Sequence, residues 1–105
     1  MDDKPKIDWN SADISEKANF IRTYICEDEG SNSNLLEDFE LVDNLHYLMA
    51  QLDKKFPRGF RWRPDNGLLI CYGSYDDPPT QIDCDKFEDG AWVILLRLAG
   101  VEVKY

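Results

Sequence analysis

The stretch that decides the fold is residues 59–73, which read GFRWRPDNGLLICYG. Phe60-Arg-Trp-Arg63 alternates apolar and charged side chains, as a half-buried strand does. The next four residues, Pro64-Asp-Asn-Gly67, place proline early and asparagine–glycine where a positive φ is needed. The five residues after that turn are all apolar and form a run of strand length. We therefore predict a β-hairpin that pairs roughly 59–63 with 68–73.

Two helical segments precede this hairpin. Asp13, followed three residues later by Glu16, is the pattern of a helix N-cap, and apolar residues then recur at helical spacing. The acidic cluster 27–29 and the glycine after it are expected to end this first helix. A second capping pattern begins at Asn34. It predicts one continuous second helix over residues 35–56, with apolar stripes on two sides.

The chain after the hairpin predicts a loop, a helix and a last strand. Residues 73–81 contain two consecutive prolines and are expected to form an exposed loop without regular structure. Asp85 resembles a cap and Gly100 lies where a C′ residue belongs, which favours a helix between them. The apolar residues 91–98 would also suit a buried strand, and we prefer the helix. Residues 101–105 alternate as a final strand.

The resulting order, α-α-β-β-α-β, predicts the α+β class: a small two-layer sandwich with a mostly antiparallel sheet and helices on one face. A chain of 105 residues is expected to form a single domain over 1–105. Residues 1–10 resemble a tail or a loosely docked segment, with Ile7 and Trp9 as its apolar anchors. The predicted core includes seven large side chains: Phe39, Leu45, Leu48, Leu52, Trp62, Leu95 and Leu98.

The composition excludes several classes of protein. The chain has 21 acidic and 12 basic residues, a net charge of −9 and a hydrophobic fraction of 43%. These values are typical of a folded globule that is repelled by nucleic-acid backbones and anionic lipid. No apolar run is longer than residues 91–99, which Arg97 interrupts, and the polar start resembles no signal peptide. The irregularly spaced cysteines, Cys26, Cys71 and Cys84, favour free thiols and a cytoplasmic location.

The acidic residues are grouped along the chain. No lysine or arginine lies between Arg22 and Lys54, whereas eight carboxylates do. Carboxylates near a helix N-terminus are favourable, but those at a C-terminus oppose the helix dipole. The pattern indicates either a patch that steers association with a basic partner or a solvated face kept soluble by charge. The candidate partner-binding residues, which include the loop after the hairpin, are Glu27, Asp28, Glu29, Glu37, Asp38, Glu40, Asp43, Tyr75, Asp76 and Asp77.

The basic residues are grouped as well. Residues 54–63 contain five lysines and arginines and no acid, with aromatic side chains between them. Such interleaving is typical of a nucleic-acid platform. Strand geometry gives a simpler interpretation, because Phe60 and Trp62 would face the core while Arg61 and Arg63 face outward. The net charge of the chain also opposes a phosphate backbone.

The sequence carries no clear catalytic or metal-binding constellation. His46 is the only histidine and lies three positions after Asp43, whose carboxylate would orient its ring. The cysteines lack metal-type spacing. The segment from Asp83 to Gly90 resembles a calcium loop but lacks the ligand at its fifth position and the glycine at its sixth. We predict no catalytic residues, no metal and no cofactor.

These observations predict a small, acidic, non-enzymatic cytoplasmic protein that blocks a basic partner. A nuclease or a nucleic-acid-binding effector would suit such an inhibitor, as in immunity proteins or phage anti-defence proteins. This interpretation expects no direct contact with nucleic acid or with a membrane. Two alternatives are a small-ligand or scaffold module whose charge serves solubility, and an RNA-binding module that uses the basic aromatic strand 54–63.

Overall fold

The structure, a computed structural model, describes residues 4–25 and 36–105. Over these residues the chain forms four helices and five strands, and the predicted α+β class and order of elements are confirmed. Strands β2, β3 and β4 form an antiparallel sheet, and β1 pairs with β5 in parallel. The elements in chain order are β1 (Lys6–Asp8), α1 (Ile14–Tyr24), α2 (Asp38–Val42), α3 (Leu45–Lys55), β2 (Gly59–Arg63), β3 (Leu68–Tyr72), β4 (Thr80–Asp83), α4 (Phe87–Leu98) and β5 (Glu102–Lys104).

The chain divides into two compact units. The first unit is Met1–Asn44 with Leu95–Tyr105, and the second is Leu45–Ile94. That the 105 residues behave as one domain stays a prediction. None of the helices in the described part of the chain has the length and apolarity that crossing a membrane requires.

The N-terminal segment of the first unit corrects one prediction. Residues 1–10 were expected to form a loosely docked tail, but Lys6–Asp8 forms β1 and pairs with β5. Backbone hydrogen bonds continue on both sides of this pair, and Trp9 donates its amide to the Lys104 carbonyl at 2.8 Å. Trp9 is only 1% exposed, and Ile7, two residues earlier, is also buried. Burial of these two large apolar side chains and the backbone hydrogen bonds together stabilise this short strand.

The predicted start of the first helix is confirmed. Asp13 is the N-cap of α1, and its carboxylate accepts a hydrogen bond from the Glu16 amide at 2.8 Å. The helix ends at Tyr24, with Ile25 as its C-cap. The acidic cluster 27–29 and the capping pattern at Asn34 lie outside the described residues.

The continuous helix predicted over residues 35–56 is wrong, because the structure contains two helices there. Helix α2 ends at Val42, its C-cap Asp43 has φ −93° and ψ 9°, and α3 begins at Leu45. Asn44 closes α2 by donating its amide to the Leu41 carbonyl. Asp and Asn favour helix ends because their short polar side chains compete for backbone hydrogen bonds.

The hairpin of the second unit is confirmed. Strands β2 and β3 pair antiparallel, with Phe60 opposite Cys71 and Trp62 opposite Leu69. Gly67 closes the turn with φ +58°, and a side chain there would collide with the Cys84 carbonyl. Only glycine satisfies both the positive φ and the close approach.

The loop predicted over residues 73–81 is shorter than expected. Thr80 and Gln81 belong to β4, which pairs antiparallel with β3 and places Ile82 opposite Leu69. The prolines Pro78 and Pro79 stand just before the strand, where they remove no hydrogen bond from the sheet. Strand β4, the third strand of this sheet, therefore begins directly after the two prolines.

The last helix is confirmed, and the alternative of a strand over residues 91–98 is excluded. Gly100 follows α4 with φ +97°, as predicted for a C′ glycine. Six consecutive residues, Ala91–Leu96, are buried. Because consecutive positions in a helix point to all sides, α4 is enclosed rather than amphipathic.

The predicted core is confirmed in part. Leu48, Leu52 and Leu95 are buried, and Trp62 is half-buried. The prediction is wrong for three residues, each of which lies at or near a helix end or beside the break between α2 and α3. They are Phe39 (52% exposed), Leu45 (45%) and Leu98 (50%).

Candidate functional site

Asp38, one of the predicted partner-binding residues, has a structural role. Its carboxylate accepts a hydrogen bond from the Arg22 guanidinium at 2.7 Å and another from the Ser15 hydroxyl at 3.0 Å. Arg22 also donates to the Leu36 carbonyl at 2.7 Å. These bonds attach the start of α2 to α1. The Arg22 guanidinium, and secondly the Ser15 hydroxyl, lower the pKa of the Asp38 carboxyl.

The outer side of α2 carries an aromatic ring among carboxylates. Leu41 and Val42 point inward and are buried. Phe39 is consequently exposed, together with Glu37, Glu40 and Asp43. Within the described residues, no lysine or arginine lies within ion-pair distance of these three carboxylates. We call this set, Glu37, Phe39, Glu40 and Asp43, the α2 surface.

Six other residues were also predicted as site residues. Tyr75, Asp76 and Asp77 are exposed on the loop between β3 and β4, which belongs to the second unit. The acidic cluster formed by Glu27, Asp28 and Glu29 lies outside the described residues. One acidic patch that includes all ten residues therefore stays a prediction. Within the described residues, the four acids between Glu37 and Asp43 lie in α2 or at its ends.

Strand β2 confirms the interpretation based on strand geometry. The Phe60 ring packs against Phe87 with centroids 5.6 Å apart, and the Trp62 ring meets the same residue edge-on at 6.1 Å. Arg61 and Arg63 are exposed on the opposite side of the strand. Neither arginine forms an ion pair with a described carboxylate. The aromatic side chains that a nucleic-acid platform would need thus face inward.

A pocket opens at the start of β2, and sequence reasoning missed it. Its volume is about 390 Å³, and we call it the β2 pocket; its lining residues are Arg58, Gly59, Phe60, Arg61 and Tyr72. The Arg58 guanidinium lies over the Tyr75 ring, 4.2 Å from its centroid. The signal in the sequence is a glycine at the first position of a strand that otherwise carries large side chains. The contact with Tyr75 has no local sequence signal.

The two described thiols are buried on the inner side of the sheet. Burial raises the pKa of Cys71 to about 12, and the nearby Cys84 adds to the rise. Burial likewise raises the pKa of Cys84, although the Trp62 indole N–H partly offsets this. Both cysteines are free. Such groups hold almost no thiolate at neutral pH, so neither is an activated nucleophile.

His46 is exposed in the first turn of α3. Over residues 4–25 and 36–105, no group of three or more histidine, cysteine or acidic side chains could hold a metal ion.

Comparison with family models, with curated proteins and with solved structures finds no match to this chain. The α2 surface and the β2 pocket are therefore interpreted from their own chemistry.

Proposed function

We propose that this chain is a non-enzymatic binding protein that covers and blocks a basic surface of another protein. The observation that carries the proposal is the exposure of Phe39 on α2, between carboxylates that have no cationic partner among the described residues. An aromatic ring at the centre of a contact supplies a large share of the binding energy, whereas charges at the rim of the contact orient the partner.

The α2 surface has the chemistry that such a contact needs. Docking would bury the Phe39 ring, and Glu37, Glu40 and Asp43 would pair with lysine or arginine side chains of the partner. Unpaired carboxylates attract a basic surface over several ångströms and raise the rate of encounter. The hydrogen bonds from Arg22 and Ser15 to Asp38 hold α2 in place before binding. A pre-ordered surface loses less conformational entropy on association.

The partner that suits this surface is a nucleic-acid-binding effector such as a nuclease. Proteins that bind nucleic acid neutralise phosphates with lysine and arginine. Carboxylates on α2 would compete for those same side chains, so binding would also inhibit. Immunity proteins and phage anti-defence inhibitors work in this way, and we place this chain in that functional class, acting in the cytoplasm.

The RNA-binding alternative lacks a supporting contact. An RNA platform on residues 54–63 would stack bases on Phe60 and Trp62, but both rings pack against Phe87. Base stacking supplies much of the affinity for single-stranded nucleic acid. We therefore do not propose this function.

The test is site-specific cross-linking followed by kinetics. A photo-reactive phenylalanine analogue replaces Phe39 in one preparation of the full chain and Tyr75 in a second. We expect the first preparation, irradiated in lysate at low salt, to capture a basic protein that the second does not capture. With that protein purified, Glu40→Lys and Asp43→Lys should slow association, with the largest loss at low salt.

The matched control is Asp65→Lys, which reverses an exposed carboxylate in the hairpin turn of the second unit. It should leave association unchanged. Equal slowing by Asp65→Lys would show that only net charge matters, and the proposal would fail. Capture of an acidic protein, or capture through the Tyr75 position instead, would also contradict it.

A further inference from the structure

We infer that the β2 pocket binds the phosphate monoester of a ligand the size of a mononucleotide. This site lies in the second unit, and it is independent of the α2 surface and of the function proposed for it. Three features carry the inference: the missing side chain at Gly59, two arginines that form no ion pair with a described carboxylate, and an aromatic wall.

The pocket exists because a glycine stands where a strand normally carries a side chain. Gly59 pairs with Tyr72 across the hairpin, so the two residues face the same side of the sheet. A Cβ added at Gly59 would meet no atom within 4 Å. The space opposite Tyr72 therefore stays open, and its volume of about 390 Å³ is within the usual range for small-ligand sites. The φ of +109° at Gly59 keeps other residues out of this position.

Two guanidinium groups flank this space. Arg58 and Arg61 both line the pocket, and both are exposed. Neither forms an ion pair with a described carboxylate, although the chain has 21 acidic residues. The Arg58 guanidinium lies over the Tyr75 ring, 4.2 Å from its centroid, and this contact restrains its orientation. Guanidinium forks match phosphate oxygens in two-point contacts, and two of them suit a dianion.

The aromatic wall and the local acids favour a mononucleotide over a longer polyanion. Tyr72 is half-buried and offers a ring beside the arginines, against which a planar base can stack. Asp76 and Asp77 follow Tyr75 directly and are exposed. Their charges would repel an extended phosphate backbone that ran past the pocket. A compact ligand with one terminal phosphate avoids that repulsion.

The experiment is an NMR titration of the ¹⁵N-labelled full chain with AMP, adenosine, inorganic phosphate and a short single-stranded RNA without terminal phosphates. We expect AMP to shift the amides of Gly59 and Tyr72 and to saturate. Adenosine and inorganic phosphate should each bind roughly tenfold more weakly or worse, because each lacks half of the contacts. The RNA, which has only internal diesters, should also bind more weakly than AMP.

The matched variants are Arg61→Gln and Arg63→Gln. Both arginines lie on the same side of β2, but only Arg61 lines the pocket. We expect Arg61→Gln to weaken AMP binding by roughly tenfold or more and Arg63→Gln to leave it unchanged. Spectra that otherwise match the unmodified chain would verify that both variants are folded.

Four results would overturn the inference. AMP at millimolar concentration could leave the Gly59 and Tyr72 amide resonances unshifted, or inorganic phosphate could bind as tightly as AMP. Arg63→Gln could weaken binding as much as Arg61→Gln, which would indicate diffuse attraction to a basic strand. The RNA could bind more tightly than AMP, which would indicate a nucleic-acid surface. None of these results would affect the cross-linking test through Phe39, which decides the proposed function separately.

Discussion

Helix α2 and strand β2 both combine aromatic residues with a row of like charges, yet they place the aromatic rings oppositely. On α2, Phe39 points outward among carboxylates. On β2, Phe60 and Trp62 point inward against Phe87, and the arginines alone point outward. The same kind of composition therefore gives an exposed aromatic ring among carboxylates in one unit and a strand whose outward side chains are arginines in the other.

The difference follows from the periods of the two elements. A strand alternates with a period of two, so aromatic and charged residues that alternate in the sequence separate cleanly between its two sides. In a helix of five residues, positions three and four apart lie on one side: here Asp38, which bonds to α1, and the buried Leu41 and Val42. Phe39 falls between these positions. An aromatic residue so placed gains little from folding and remains available for a partner.

The largest effect that tests this comparison is on stability. We expect Trp62→Ala to lower the free energy of unfolding by about 3 kcal/mol, because it removes a half-buried ring that packs on Phe87. Phe39→Ala should change it by less than about 0.5 kcal/mol. Urea denaturation followed by circular dichroism measures both variants. If Phe39→Ala cost as much as Trp62→Ala, Phe39 would be a core residue and the proposed binding role would lose its anchor.

A smaller effect concerns how α2 is attached to α1. The folded-state pKa of Asp38 is lowered, so its contribution to stability is fully present above the unfolded pKa of about 3.9. The contribution is lost as the pH falls through the folded-state pKa. Asp38→Asn should therefore be less stable than the unmodified chain at neutral pH, and the difference should shrink as the pH falls below about 3.9.

The measurement is urea unfolding of the unmodified chain and of Asp38→Asn from neutral pH down through that acidic range. Glu40→Gln is the control, because Glu40 has no ion pair with any described residue. Its stability should follow that of the unmodified chain at every pH. A difference for Asp38→Asn that did not change with pH would mean that the carboxylate charge does not hold α2.

Local signals predicted the parts of the fold that local chemistry decides. The cap at Asp13, the turn that ends at Gly67 and the C′ glycine at Gly100 are each confirmed, because each depends on residues close in sequence. Strand β1 was missed because its three residues pair with the other end of the chain. The break after α2 was missed because the apolar stripes of residues 35–56 continue across it without interruption.

The same distinction between local and long-range contacts applies to the candidate sites. The outward arginines of β2 were predictable from alternation alone. The role of Asp38 was not, because its partner Arg22 lies 16 positions earlier and only the packing of α2 on α1 brings the two together. The contact of Arg58 with Tyr75 depends on the register of the hairpin and the path of the following loop. The charged positions were therefore predictable from the sequence, whereas the contacts of Asp38 and Arg58 were not.

The smallest expected effect is the most informative about function. Glu40→Lys and Arg61→Gln should each change the free energy of unfolding by less than about 0.5 kcal/mol, because neither side chain has an ion-pair partner among the described residues. Lysine near the start of α2 opposes the helix dipole, so its effect should be slightly unfavourable. Urea denaturation at low and at moderate salt measures both variants. Both charges lie on elements whose other side chains pack against the rest of their unit. Because neither charge contributes to stability, both remain available for binding. A loss above about 1 kcal/mol for either variant would show that the charge supports the fold, and the corresponding surface would then need no partner to explain it.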